Sequence, residues 1–378
     1  MSQQQFSQAV FSKIIANKPN DNVVISPYSI FIALLMTAAG AKSDTLQEML
    51  SALCVQDQNK QNADVPLVLE KIASTKSVSS ANAIFASKDI NLLEEYKKVV
   101  SEQFKSEIEQ KEYYFSDSTK STNEVNDWVK DKTQGLIKSI VDNIDPKTAL
   151  ILVNAIYFKA SWEKQFDKSL TKRSDFRLIG NSEKINVEMM FKYNKKVLYG
   201  ENDNTKWVRL PYVGGELNSI FILPKSDDCS SSSLQETCEF VLSCLGEGNL
   251  SSKLRTSDVE LTTLQIPRHK VEYEEDLVPV MKQLGMIKAF GSADLSGIGE
   301  GPADLSISKI VHKAVVMVDE QGTEAAAVTA VAVTLACFVN KPVYNFICDR
   351  PFLHVIEHSE TGTVLFMAKV MKPDSKEK

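Results

Sequence analysis

Four histidines, six cysteines and a few glycine-containing motifs are the residues of this 378-residue chain whose types could support chemistry. His354 and His358 stand four apart in PFLHVIEHSETG, the spacing of two zinc ligands on a helix. No Glu directly follows the first His, and the segment reads as a strand and turn. His269 and His312 stand alone, and all four histidines read as structural. A hydrolase built on a nucleophile elbow would need G-x-S-x-G, which is absent. Gly297, Gly299 and Gly301 make GIGEG, without the spacing, lysine and following helix of a phosphate loop. Cys54, Cys229, Cys238, Cys244, Cys337 and Cys348 show no paired spacing. They read as free thiols in a reducing compartment rather than as a metal site or disulfide framework. Asn249 in NLS fits a glycosylation acceptor by pattern. Enzyme motifs are therefore missing.

A different feature stands out. From Glu320 the chain runs EQGTEAAAVTAVAVTLACFVN, and after Glu324 no charged residue occurs until Lys341, in a chain that is 24% charged. Its Val and Thr content suits a strand better than a helix. Read with period two, one face carries Thr323, Ala325, Ala327, Thr329, Val331, Val333 and Leu335. This face would pack on a core. The other carries Glu324, Ala326, Val328, Ala330, Ala332, Thr334 and Ala336, small enough to meet solvent or a covering helix. Left unpaired, such a segment would template aggregation, so a protein that exposes it must use that tendency. Pattern alone leaves an ordinary buried central strand equally open.

The elements around it belong to a globular chain with a sizeable core, at 43% hydrophobic residues. The net charge of −6 is spread along the chain, with only small basic clusters such as Lys172-Arg173 and Lys195-Lys196. That argues against nucleic acid as a partner. No apolar run approaches the roughly 20 residues needed to span a bilayer. The N-terminal stretch reads as a helix carrying Phe6, Val10 and Ile14 rather than as a secretory signal. The first half reads mainly helical: SPYSIFIALLMTAAGA begins with a Ser cap before proline, followed by TLQEMLSAL, LLEEYKKVVSEQF and STNEVNDWVKDKTQGLIKSIV. Polar stretches at 55–64 and 225–233 read as loops. The second half reads as strands: ALILVNAIYF, WVRLPY, NSIFILP, DVELTTLQIP, HKAVVMVDE and TVLFMAKVM. Helices early and strands late, without regular alternation, indicate an α+β fold with large mixed sheets.

DEQGTEAAAVTAV resembles the reactive-loop hinge of the serpin superfamily, and the resemblance extends along the whole chain. NVVISPYSIFIAL with TLQEM, VNDWVKDKTQGLI, TALILVNAIYFKASWEKQFD, LPYVGGELNSIFILP, LGMIKAF with ADLSGI, LSISKIVHKA and DRPFLHVIEHSETGTVLFMAKV each resemble a serpin segment. The resemblance implies a single domain over residues 1–378, with about nine helices packed on three β-sheets. It also implies an exposed reactive-centre loop at about 320–345. Ser26, Ser29, Asn154 and His312 fall where serpins keep the polar cluster beneath the main sheet. Trp162 falls at the top of that sheet, where strand insertion begins. Glu320, Gly322, Thr323, Glu324, Ala325, Ala326 and Ala327 form the hinge, free of bulky or proline residues. Ser43-Asp44, Ala160 and Ala368 replace a usual Gly-Asn, Gly and Gly, changes expected to tune stability.

The implied activity is suicide inhibition of a serine protease, not catalysis. The protease attacks the loop, and the cut loop enters the main sheet as a strand before the acyl-enzyme hydrolyses. Counting Glu320 as the first of seventeen positions puts the scissile bond at Ala336–Cys337, which suits an elastase-like pocket. Leu335 or Phe338 would favour a chymotrypsin-like one, and Pro342 disfavours cleavage after Lys341. Cys337 is also a candidate redox-sensitive thiol. The partner expected is a target protease in a covalent 1:1 complex with a monomer, with no cofactor, no metal and no membrane. No heparin activation is expected, because LVLEKIASTKSVSS offers only Lys71 and Lys76. The expected location is cytoplasmic, with export lacking a signal peptide left open. The competing expectation is a non-inhibitory serpin acting as carrier or chaperone.

Overall fold

A computed structural model describes residues 2–56, 58–110, 117–146, 148–180, 183–248, 250–301, 305–323 and 344–374. In chain order the elements are α1 (Ser2–Asn17), β1 (Val23–Ile25), α2 (Pro27–Ala38), α3 (Ser43–Ala52), α4 (Gln58–Ser74), β2 (Val78–Ala86), β3 (Asn91–Leu92), α5 (Glu94–Glu102), β4 (Glu107–Gln110), α6 (Ser118–Lys132), β5 (Leu150–Phe158), β6 (Ala160–Ser161), β7 (Lys172–Arg177), β8 (Lys184–Glu201) and β9 (Thr205–Pro211). They continue with β10 (Leu217–Pro224), α7 (Ser231–Gly246), α8 (Leu250–Lys253), β11 (Ser257–Pro267), β12 (His269–Asp276), α9 (Val278–Gln283), β13 (Gly299–Glu300), β14 (Ile307–Val318), β15 (Gly322–Thr323), β16 (Tyr344–Ile347), β17 (Phe352–His358) and β18 (Thr363–Val370).

The five-stranded main sheet has the order β12-β14-β5-β2-β4. Its two central strands, β14 and β5, are parallel, while β5 runs antiparallel to β2 and β14 antiparallel to β12. Both faces of β5 are apolar, which explains the unbroken burial of LILVNAIYF. Leu150, Leu152, Ile156 and Phe158 face the main core. Ile151, Val153, Ala155 and Tyr157 face a second cluster with Val125 and Val129 of α6 and Ile137, Ile140 and Val141 beyond it.

The remaining large sheet follows β1-β18-β17-β10-β9-β8-β11-β16, with β7 also on β8. The 18-residue β8 belongs to two halves: its N-terminal part pairs with β7, its C-terminal part with β9, and β11 runs along most of its length. It thereby joins two of the three expected sheets into one ladder. Mixed α+β architecture is thus observed, with nine α-helices among the described residues.

Two local readings are corrected. The polar stretches 55–64 and 225–233, expected as loops, include the starts of α4 and α7. The helical period running through Leu136–Val141 does not extend α6, which ends at Lys132, because Gln134 and Gly135 take positive φ angles of 55° and 80°. Asn126 then holds the returning chain: its Oδ1 accepts from Ile140 and Val141 N–H, at 2.8 and 3.1 Å.

Candidate functional site

Two groups of residues lie along the central pair of the main sheet. The lower one is a row of polar side chains in register across three strands, because Asn82 pairs with Asn154 and Asn154 with His312. Residues directly opposite one another share a face, and this face meets the N-terminus of α2. There Ser26 caps the helix, its Oγ accepting from Ser29 N–H at 3.2 Å. Asn154 Nδ2 donates to Ser29 Oγ and to Asn82 Oδ1, and Ser29 Oγ donates to Asn82 Oδ1 at 3.2 Å.

His312 closes the group. Its Nε2 accepts from the Ser26 backbone N–H at 3.2 Å. The proton therefore sits on Nδ1, which donates to Asn154 Oδ1 at 2.5 Å. Burial lowers the His312 pKa to about 3, so the ring is neutral. His269, also fully buried, is lowered to about 4 by the same cause. A folded-state pKa below the unfolded value near 6.5 means that the unfolded chain binds more protons as pH falls through that range. Stability should therefore fall between about pH 6.5 and 5, each of these histidines adding up to about 1.4 kcal/mol per pH unit. Urea unfolding across that window checks this, and a His312→Asn variant should show a shallower slope than the parent.

The upper group lies about 23 Å along the strand direction from Asn154, at roughly 3.3 Å per residue to Ser161. Beyond β14 the chain turns at Asp319, whose Oδ1 accepts from Gln321 and Gly322 N–H at 2.8 and 3.1 Å. Burial raises the Asp319 carboxyl pKa. The turn sends Gly322 and Thr323 back antiparallel onto Ser161 and Ala160, the continuation of β5. Trp162 fixes this turn through its backbone N–H to Gln321 O and its Nε1 to Asp319 O, both 2.9 Å. Its ring stacks on Tyr212 at 4.5 Å. Glu320 is 2% exposed rather than out in solvent. Its Oε1 accepts from Thr171 Oγ1 at 2.7 Å, and Arg268 Nε stands 3.7 Å from its Oε2. Arg268 also pairs with Glu188 at 2.9 Å. The expectation of a loop exposed from Glu320 is thus corrected for 320–322: polar and apolar neighbours on the sheet top hold this peptide down.

Gly322 is required there. Its φ is +149°, and a Cβ would lie 2.1 Å from Ala160 O. Gly322→Ala should cost roughly 2 kcal/mol as backbone strain and release the turn. Hydrogen exchange over 159–167 should then speed up; unchanged exchange would show that the pairing tolerates a side chain.

The structure therefore brings together Ser26, Ser29, Asn154 and His312, and separately Trp162, Glu320, Gly322 and the backbone of Thr323. Glu324, Ala325, Ala326, Ala327, Leu335, Ala336, Cys337 and Phe338 lie outside the described residues. Sequence reading missed Asn82 and the acid–base set Thr171, Arg268 and Glu188. Nothing in their local sequence marks them, since only the strand register makes them neighbours.

A mixed main sheet with a parallel central pair, and a turn at 319–323 paired onto the top of that pair, define the fold class of this protein. Comparison with known proteins agrees. The family model described as serpin (serine protease inhibitor) matches residues 1–373. The chain is 36% identical over 371 residues to human Serpin B8, covering 96% of each. It is 34% identical over 378 residues to leukocyte elastase inhibitor A of Rattus norvegicus, covering 97% of each. Among solved structures, Serpin48 of Tenebrio molitor superposes with a TM-score of 0.84 at 28% identity, covering 99% of this chain and 97% of that one. The chain belongs to the serpin family. This membership and the inhibitor-named relatives support protease inhibition as its function class, with a protease as partner, rather than catalysis.

Proposed function

We propose that this chain is an irreversible suicide-substrate inhibitor of serine proteases, acting as one domain. In this reading Ser26, Ser29, Asn154 and His312 are the point at which the sheet parts, and Trp162 and Glu320–Ala327 are the point at which insertion starts. The observation that carries it is the antiparallel pairing of Gly322 and Thr323 with Ser161 and Ala160. A strand that continues this register would run antiparallel to both β5 and β14, replacing one parallel contact by two antiparallel ones.

The same register gives every side chain a suitable neighbour. After cleavage Ala325 would come beside Phe158, Ala327 beside Ile156, Thr329 beside Asn154, Val331 beside Leu152 and Val333 beside Leu150. These partners face the main core, except that Asn154 offers Thr329 a hydrogen-bonding neighbour. Glu324 would come beside exposed Lys159, and Ala326, Val328, Ala330 and Ala332 beside the face covered by α6. The charge-free sequence therefore matches two apolar faces at once.

Carrying the attached protease to the far end of the sheet would strain its active site. Loss of the oxyanion hole or of histidine alignment slows deacylation by orders of magnitude. The favoured scissile bond is Ala336–Cys337 with an elastase-like target, a choice in keeping with the elastase inhibitors among the relatives. Leu335 and Phe338 are the chymotrypsin-like alternatives. The test is incubation with elastase-like, chymotrypsin-like and trypsin-like proteases, followed by denaturing electrophoresis and mass measurement of the released C-terminal peptide. A band resistant to denaturation supports the reading, and the peptide mass identifies the bond. Cleavage by every protease without such a band would instead favour a non-inhibitory carrier or chaperone.

A further inference from the structure

Lys164, Lys192 and Lys195 come together in the fold. Lys192 is half-buried, with Nζ 3.9 Å from the centre of the Phe166 ring and bonded to Lys164 O. Burial and the nearby charges of Lys164 and Lys195 lower its pKa to about 7. On the neighbouring strand, Lys172 Nζ lies 4.5 Å over Phe191, which stacks on the exposed Tyr193. Among the described residues, none of Lys164, Lys172, Lys192 and Lys195 forms an ion pair with a carboxylate. The nearby acids are engaged or set apart: Asp167 caps Ser169, Glu188 holds Arg268, Glu260 stands opposite Lys196, and Glu163 points to solvent as an exposed residue. Like charges gathered with no carboxylate in ion-pair contact mark a surface that gains by meeting anions.

Its position suggests which anion. Phe166, under Lys192, donates its N–H to Glu320 O at 2.8 Å, where the loop departs. Lys195 pairs with Leu261, and Leu261 with Tyr344, where the described chain resumes after the loop. Two strand spacings, about 10 Å, separate that residue from Lys195. The cluster thus adjoins both feet of the loop, so a macromolecule that grips the loop stands beside these lysines.

We propose that Lys164, Lys192 and Lys195 form a docking surface for an acidic face of the protease that takes the loop. It raises the rate of encounter and restricts the choice of target. The proposal rests on the inhibitory reading. Charges at the rim of an interface act chiefly on association rate and its salt dependence.

The test uses the intact chain, a Lys164→Glu/Lys195→Glu variant, and a Lys98→Glu/Lys138→Glu control of equal net charge. A labelled oligo-glutamate peptide, read by anisotropy at low salt, should bind the parent and control about tenfold more tightly than the first variant. With a protease that forms the covalent band, the variant's association rate constant should fall about tenfold at low salt and converge with the parent's at high salt. The fraction of protease finally trapped should not change. Peptide binding or trapping rates indifferent to these lysines would overturn the surface while leaving inhibition intact. Lysine-dependent peptide binding with no covalent band from any protease would overturn inhibition, and the protease as occupant with it. Lysine-dependent binding of dextran sulfate, with trapping rates unaffected, would reassign the surface to a polysaccharide and overturn the proposal.

Discussion

Cutting the loop between Leu335 and Phe338 should raise the thermal midpoint of the chain by on the order of 15 °C, at roughly 2 °C per kcal/mol for a large domain. The gain comes from new burial. On the inhibitory reading Val328, Val331, Val333 and Leu335 would be buried in the middle of the sheet, each worth roughly 1.5–3 kcal/mol. Ladder hydrogen bonds on both edges would offset the ordering of the strand. Taking these together, the net gain is about 8 kcal/mol. Calorimetry before and after limited proteolysis measures it directly. An unchanged midpoint, with the cut verified by peptide mass, would mean that the loop stays outside and that the inhibitory mechanism is wrong.

Asn154→Ala should be the most damaging single substitution in the polar row. It removes partners from Ser29 Oγ, Asn82 Oδ1 and His312 Nδ1 at once. The Ser29 Oγ–Asn82 Oδ1 bond survives, so His312 Nδ1 is the group left unsatisfied, at about 1–3 kcal/mol, and with the cavity left by the side chain the variant should lose about 3 kcal/mol in denaturant unfolding. Asn82→Ala removes fewer bonds and should cost less than half as much. Equal losses in the two variants would show that the row is held by packing rather than by its hydrogen bonds.

The strands that β-branched residues announce were readable: ALILVNAIYF becomes β5 and HKAVVMVDE contributes to β14. The main sheet was only half visible, because β2 is VSSANAIFA and β4 is EIEQ. Their Ser, Ala, Asn and Glu content gives weak strand preference, and they are strands because their neighbours pair with them. Asn82 was hidden for the same reason. The segment from Glu320 drew notice through composition and family resemblance, but the burial of Glu320 did not show in the sequence. Its partners Thr171 and Arg268 are distant in sequence, and tertiary contact alone brings them to the carboxylate.

The covering helix also divides the main sheet into two plates. Trp128 Nε1 and Lys132 of α6 both bond to Glu107 on β4, while Val125 and Val129 pack with residues of β2 and β5. Helix, β4, β2 and β5 thus make one plate. β12 and β14 make the other, and β14 contributes only Val311 and Val315 to the cluster beneath the helix. The plates are joined by the β5–β14 ladder, by those two valine contacts on the helix side and by the His312–Asn154 bond on the opposite face, and at the top by the bonds of Trp162 and Phe166 to Asp319, Glu320 and Gln321. On that opposite face both strands also pack into the main core. On the inhibitory reading proposed above, the sheet would open along this seam while each plate keeps its own packing. On that reading, the side chains along this one line would set how quickly the molecule springs.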